Sequence, residues 1–402
     1  MASRLALPLG MLVLFAAALF LAAPSAVAEP YMAVREGYKC SVCHVNRTGG
    51  GARTDYAAVY EATRMAAGTT FMGVGGPIGS AGEGLHGHTG SAVNVDADVR
   101  ASLVDTNMNG KGTVQFNRPA SCDSCHAGTP NGAGEGGGGQ IATINLQFKA
   151  VPDVASIVYS VSAVPNAASR DVYGLVESLP FNGYIKAGTF KLPNGLNNTW
   201  DYPFQHTTQG GYQGLDGFET IYATGVEVGI EPGPFTVALS VTNPDKLNTN
   251  PLGQRYFLTA SAVSRLGMIG FNYAQDPVST TQTRTLSSGF LGASLGRVTL
   301  LGQIDQIQDV DPTVGMNVSQ EARLGEVDLL LARGHNLKYQ VEIRDPSVAH
   351  TKDVRDRQSL VYEPFLTSWL QWRVGYRKYA GPQSTTVDNN GEMYFVEMHL
   401  LY

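Results

Sequence analysis

The stretch GEMYFVEMHLLY, residues 391–402, decides the fold. Every second residue from position 394 is apolar, namely Tyr394, Val396, Met398, Leu400 and Tyr402. Because successive side chains of a β-strand point to opposite faces, this alternation predicts a strand with one continuous apolar face. His399 falls on the opposite face, where a polar residue belongs.

The same alternation recurs along the chain, for example from Val93 to Leu103 and from Leu337 to Ile343. It predicts sixteen strands at 92–104, 139–150, 154–163, 170–179, 183–191, 222–231, 234–243, 254–264, 266–275, 283–294, 297–308, 322–333, 335–345, 356–367, 369–379 and 391–402. Several of these have nine to twelve residues, the length that crosses a bilayer at a tilt. Strands of a soluble β-sandwich, the alternative, usually have about five or six.

The apolar face that ends on Tyr402 is similar to the C-terminal signature of bacterial outer-membrane barrels. This resemblance implies that residues 92–402 form a transmembrane antiparallel β-barrel of about 16 strands, so the fold class is all-β. Carboxylates on the polar faces, such as Asp96, Asp98, Glu326 and Asp328, are then expected to line the lumen.

Tight turns alternate with long polar connections, and in such barrels the tight turns face the periplasm. Both chain ends are then periplasmic, and residues 105–138 form the first external loop. A second long loop, 192–221, is rich in aromatics and could fold into the lumen or stay exposed.

Residues 1–28 have one positive charge, an apolar run and the small-residue pattern Ser25-Ala26-Val27-Ala28, which predicts a secretory signal peptide. A membrane anchor is the alternative. After residue 28 no run of about 18 apolar residues occurs, which argues against a helical membrane span.

Residues 29–91 carry the motif Cys40-Ser41-Val42-Cys43-His44, and Cys122-Asp123-Ser124-Cys125-His126 repeats it in the first external loop. Cys-x-x-Cys-His is typical of c-type haem attachment, in which two thiols one helical turn apart form thioethers and the next imidazole binds iron. We therefore expect two covalent haems, held by Cys40, Cys43, Cys122 and Cys125, with His44 and His126 as proximal ligands.

The same four cysteines could instead form a four-thiolate zinc site or redox dithiols. Zinc pairs usually have a shorter gap than the one between Cys43 and Cys122. Neither alternative needs a histidine directly after each pair.

Each haem has a second axial position. His86 and His88, in the glycine-rich linker or plug 73–90, are candidates for the first haem, with Met65 or Met72 as the alternative. A helical piece at 53–67 is expected to pack on this haem. His206 in the loop 192–221 is the candidate for the second.

The net charge of −6 and the lack of a basic run argue against nucleic acid as a partner. No Gly-x-Ser-x-Gly, phosphate-binding glycine loop or His-Glu-x-x-His motif occurs. An electron-transfer protein is therefore favoured over a turnover enzyme; if there is catalysis, we expect an oxidoreductase acting on iron.

A signal peptide, an N-terminal haem motif and a barrel in one chain resemble the fused cytochrome-porins of the bacterial outer membrane. The segment from Gly37 through Cys40, Cys43 and His44 to Gly51 is similar to N-termini of haem-bearing barrels. The second motif departs from the single-haem pattern of that family.

This resemblance implies an outer-membrane dihaem protein that carries electrons between periplasm and exterior, in extracellular metal reduction or iron(II) oxidation. The implied partners are periplasmic c-type cytochromes, an extracellular cytochrome or a mineral or metal ion, and outer-membrane lipid. A haem-tethered porin for diffusion of small solutes or metal ions, and a soluble periplasmic dihaem protein, are the alternatives.

Overall fold

The barrel dominates the computed structural model, which describes residues 29–68, 70–71, 74–75, 92–108, 111–116, 141–162, 171–196, 222–243, 253–345, 347–349, 354–381 and 391–401. Two short strands, β1 (Thr70–Phe71) and β2 (Val74–Gly75), pair with each other. Seventeen antiparallel strands form the closed barrel. They are β3 (Val93–Met108), β4 (Lys111–Phe116), β5 (Ile141–Val151), β6 (Ala155–Ser162), β7 (Val172–Leu179), β8 (Gly183–Lys191), β9 (Tyr222–Ile230), β10 (Phe235–Thr242), β11 (Arg255–Ser264), β12 (Gly267–Pro277), β13 (Thr283–Leu295), β14 (Val298–Asp311), β15 (Met316–Ala332), β16 (His335–Asp345), β17 (Arg355–Thr367), β18 (Leu370–Ala380) and β19 (Gly391–Leu401).

All sixteen predicted spans overlap a strand, but the predicted count of about sixteen is wrong by one. The additional strand is β4, which lies in the stretch predicted as loop 105–138. The first half of β3 pairs with β5, and its second half, Leu103–Met108, continues beyond β5 and pairs with β4 instead. With only six residues, β4 is too short to show the alternation expected of a membrane-crossing strand.

The predicted loop 309–321 is also shorter than expected. Strands β14 and β15 stay paired as far as Asp311 and Met316, which leaves residues 312–315 as the turn. The residues of this extension are largely polar, so the sequence pattern did not predict that they pair.

The strands have apolar residues outside and polar residues inside. Phe271 and Tyr273 on β12 are exposed on the outer face, whereas Asn272 between them is buried on the inner face. The predicted lumen positions of Asp96, Glu326 and Asp328 are all buried, while the side chain of Asp98 lies outside those described. This arrangement is the one that a barrel surrounded by lipid requires.

Connections at one end of the barrel are two to four residues long: 152–154, 180–182, 231–234, 265–266, 296–297, 333–334 and 368–369. We call this the tight-turn end. Gly296 shows why such turns are possible, since its φ of 65° lies in the left-handed region that glycine enters at little cost. Among the described residues, no helix is long and apolar enough to cross a membrane.

Residues 29–68 lie inside the barrel, and we call them the plug. They form α1 (Pro30–Glu36), α2 (Cys40–Cys43) and α3 (Asp55–Tyr60), which continues as a π-helix over Glu61–Met65. The helical piece predicted at 53–67 is thus present. Tyr31, Met32 and Val34 of α1 form a buried apolar cluster with wall residues, including Phe290, Leu301 and Leu324.

The plug contacts the wall around its circumference. The backbone N–H of Arg53 donates to Asp96 on β3 at 2.8 Å, and Lys186 on β8 donates to Asn46 at 2.7 Å. On the opposite side, Lys338 on β16 forms an ion pair with Glu29 at 3.1 Å.

Other contacts set the depth of the plug. Arg47 pairs with Glu177 near the tight-turn end of β7, at 2.8 Å. A Cβ added at Gly51 would lie 2.6 Å from the carboxylate of Asp171, just before the other end of β7. The plug therefore extends along about 20 Å of this strand.

Candidate functional site

The candidate site is built on the first Cys-x-x-Cys-His motif. Cys40 and Cys43 form the single turn α2, and three residues of helical spacing bring their side chains to the same side. After this turn the chain becomes extended at His44, which forms an isolated β-bridge with Arg53. Local structure alone therefore presents two thiols and an imidazole together.

Cys40, Cys43 and His44 line one cavity together. The remaining wall is mainly apolar or aromatic and includes Met32, Ala33, Tyr38, Ala57, Tyr60, Met65 and Leu196. The residues 29–65 thus form nearly the whole lining, and Leu196, in the segment that follows β8, completes it.

His44 is buried, and burial lowers the pKa of its imidazole to about 4. The positive charges of Lys191 and Arg53 lower this pKa further, whereas a hydrogen bond with the backbone of Gly51 raises it. At neutral pH the ring is therefore uncharged and can offer a nitrogen lone pair to a metal ion.

The two thiols are not joined as a disulfide. Burial raises the pKa of Cys40 to about 11 and that of Cys43 to about 12. Redox dithiols usually have lowered thiol pKa values, whereas burial raises the pKa of both of these thiols.

The segment that carries the motif is tied to the turn between β9 and β10. Glu231 in this turn accepts a hydrogen bond from Ser41 at 2.8 Å and pairs with Arg47 at 3.4 Å. Burial raises the pKa of Glu231. The hydrogen bond from Ser41 and the positive charges of Arg47 and Lys39 act in the opposite direction. Lys39 also donates to the Glu231 and Phe235 carbonyl oxygens.

These residues fit a covalent c-type haem. The donor set has two thiols one helical turn apart and an adjacent neutral imidazole, and all three groups face one largely apolar cavity. Among the described residues, no group of three or more His, Cys, Asp or Glu could hold a free metal ion.

The structure brings together three of the nine residues predicted for the site: Cys40, Cys43 and His44. The other six, Cys122, Cys125, His126, His86, His88 and His206, lie outside the described residues.

Met65, the predicted alternative to the histidines, does line the cavity. Met32, Tyr38 and Leu196 line it as well and were not predicted. Helical spacing indicates the face formed by Ala57, Tyr60, Glu61 and Met65, but no local signal connects Leu196 to a motif so far away in the chain.

The barrel can be compared with solved structures. An anion-selective porin from Comamonas acidovorans superposes with a TM-score of 0.55 at 13% identity, covering 77% of this chain and 98% of that one. The chain has a porin fold. OmpT of Vibrio cholerae matches this porin-fold chain with a TM-score of 0.54 at 14% identity, covering 78% and 99% of the two chains.

OmpF of Salmonella typhi, solved with daunomycin, gives a TM-score of 0.55 at 8% identity, covering 78% and 99%. Identities this low establish only the shared fold. No family model and no curated protein sequence matches the porin-fold chain.

Proposed function

We propose that this porin-fold protein lies in the bacterial outer membrane and carries electrons across it by a c-type haem bound covalently in its plug. The observation that carries the proposal is the cavity inside the barrel that Cys40, Cys43 and His44 line together. The outward apolar face of the strands supports the membrane location.

A haem bound in this cavity supplies a one-electron carrier surrounded by an insulating wall. The chain's own residues place it there. Ser41 and Arg47 attach the motif to Glu231 at the tight-turn end, and Gly51 reaches toward Asp171 at the other end of β7. The cavity therefore lies within the barrel wall, where a bilayer has an apolar thickness of about 25 Å.

A single site does not cover the whole distance between the two sides. The second motif, Cys122, Cys125 and His126, lies in the sequence between β4 and β5, and we propose it as the site of a second haem. A periplasmic c-type cytochrome would exchange electrons at the plug. An extracellular cytochrome, mineral or metal ion would do so at the far end, in either direction of flow.

A diffusion porin for small solutes or metal ions is the second candidate. The porin fold and the polar inner faces of the strands favour it. The plug argues against a wide open channel, because its residues contact β3, β8 and β16 on different sides of the lumen. Uptake of uncharged solutes by liposomes that contain the protein would favour this second function.

The first experiment is mass determination and haem staining of the protein purified from detergent-extracted outer membranes. We expect two covalent haems, and one in the variant Cys40→Ala/Cys43→Ala. The control is His399→Gln, which changes a buried lumen histidine bonded to Gln371 and should keep both. A wild-type protein without covalent haem would refute the proposal.

Electron flow is then measured in proteoliposomes with a reduced dye inside and a ferric chelate outside. Wild type and His399→Gln should pass electrons, whereas Cys40→Ala/Cys43→Ala should lose at least tenfold in rate. Equal rates in all three proteins would show that the plug site is not part of the pathway.

A further inference from the structure

A haem in the plug has a second axial position, and the cavity lining shows which donors are free to fill it. Tyr60 donates to Glu36 at 2.9 Å, and Tyr38 accepts from Tyr56 at 2.7 Å. Both phenol oxygens therefore already have a hydrogen-bond partner.

The charged donors at the cavity are engaged too. Glu61 pairs with Arg53 at 2.5 Å, Lys39 donates to two backbone carbonyl oxygens at 3.0 Å, and Glu29 pairs with Lys338 at 3.1 Å. Drawing any of these to an iron would break a buried or partly buried ion pair or hydrogen bond, which is costly.

Among the described residues that line the cavity, two thioethers remain, those of Met32 and Met65, and both side chains are buried. A thioether needs no hydrogen bond when buried, so it can face a cofactor without losing one. It is also a recognised axial ligand of c-type haem.

The backbone distinguishes these two methionines. Met65 ends the π-helix, in which the N–H of Ala66 donates to Glu61 O at 2.9 Å. Such a widened turn changes the helical phase and so keeps Met65 on the face that Ala57 presents to the cavity. Single π-turns of this kind occur often at functional sites. Met32 lies within the regular helix α1, which has no such adjustment.

Residues just after Met65 are fixed to the barrel. Arg333 donates to the Ala66 carbonyl at 2.7 Å. The N–H groups of Ala67 and Gly68 donate to the carbonyls of Phe365 and Leu366 at 2.8 and 3.1 Å. The segment that follows Met65 is therefore held by the barrel wall, as suits a preorganised ligand.

We infer that the Sδ atom of Met65 is the second axial ligand of the haem bound by Cys40, Cys43 and His44, an inference that rests on the proposed function. It takes the place for which the sequence favoured His86 or His88. A histidine–methionine pair raises the reduction potential of a haem relative to a bis-histidine pair, so the plug haem is the site of higher potential if the second haem has two histidines.

The test compares Met65→Leu with the matched control Met32→Leu, each in the full-length holoprotein. The readouts are covalent haem by mass, the sulfur-to-iron charge-transfer band of the oxidised protein, and the midpoint potential. Met65→Leu should keep both haems, lose the band and bind carbon monoxide at one reduced haem. Met32→Leu should keep the band and the potential of the wild type.

Met65→His supplies a second measurement in case leucine disturbs the plug. It should restore a six-coordinate haem without the band and with a lower potential than the wild type. Absence of the band in the wild type, or its persistence in Met65→Leu, would overturn the assignment while covalent haem still supports the proposed function. Absence of covalent haem from Cys40 and Cys43 would overturn both.

Discussion

At the scale of single residues, the fit of the plug depends on Gly37. This glycine ends α1 with a φ of 71°, in the left-handed region, and its N–H caps the helix. A Cβ at this position would lie 2.8 Å from the backbone N of Arg265 and from the carbonyl C of Ser264. Since these are backbone atoms of the turn between β11 and β12, they cannot rotate out of the way.

We expect Gly37→Ala to destabilise the docked plug by more than the roughly 1 kcal/mol that a left-handed φ costs alone. Gly233→Ala is the matched control, because Gly233 has a φ of 54° and nothing within 4 Å of an added Cβ. Hydrogen exchange of residues 29–68 measures the difference. Equal protection of the plug in the two variants would show that the contact with Arg265 does not matter.

At the scale of elements, each barrel strand has to satisfy two environments at once. On β13, Leu291 is exposed on the outer face, and Phe290 beside it is buried against the plug. Farther along the same outer face, Ser287 is exposed as well. The change from leucine to serine indicates where the apolar band ends on this strand.

We therefore expect Leu291→Arg to destabilise the folded barrel by about 2–4 kcal/mol, because it places a charge in the apolar band. Ser287→Arg, four residues away on the same face, should cost about 0–1 kcal/mol. Urea unfolding in lipid vesicles measures both. Similar costs for the two variants would mean that the apolar band does not end between these positions.

At the scale of the whole molecule, the plug contacts the barrel wall on several sides of the lumen. Arg47 lies between Glu177 of β7 and Glu231 of the turn between β9 and β10, and the Glu231 side chain is almost completely buried. Replacing both Arg47 and Glu231 avoids leaving one unpaired charge in the interior. It also removes the side-chain contacts that Ser41 and Arg47 make with Glu231.

We expect Arg47→Ala/Glu231→Ala to raise ion conductance in planar bilayers several-fold over the wild type. The reason is that the plug loses the side-chain contacts of Ser41 and Arg47 with the wall and keeps only the hydrogen bonds of Lys39 to backbone carbonyls there, while the barrel strands keep their pairing. Asp311→Asn, at the end of β14 beside the turn 312–315 at the opposite end of the barrel, is the control and should leave conductance unchanged. A wild type that already conducts like the double variant would show that the plug does not close the channel.

The amino-acid sequence determined the local features of this protein. Alternation of apolar and polar residues is enough to find sixteen strands, because the pattern that distinguishes the two faces of a strand is visible within a single stretch of sequence. The spacing of Cys40, Cys43 and His44 likewise sets the local geometry of the haem motif, since it needs only one helical turn. The helical piece with Tyr60 and Met65 was predictable for the same reason.

Only the tertiary structure decided where these pieces meet. The pairing of β4 with the end of β3 depends on how far β5 extends, and the position of the plug depends on contacts such as Glu29 with Lys338, 309 residues apart. No local pattern encodes such distant pairs. The cavity shared by Cys40, Met65 and Leu196 exists because barrel closure brings the plug and the segment after β8 into one lumen.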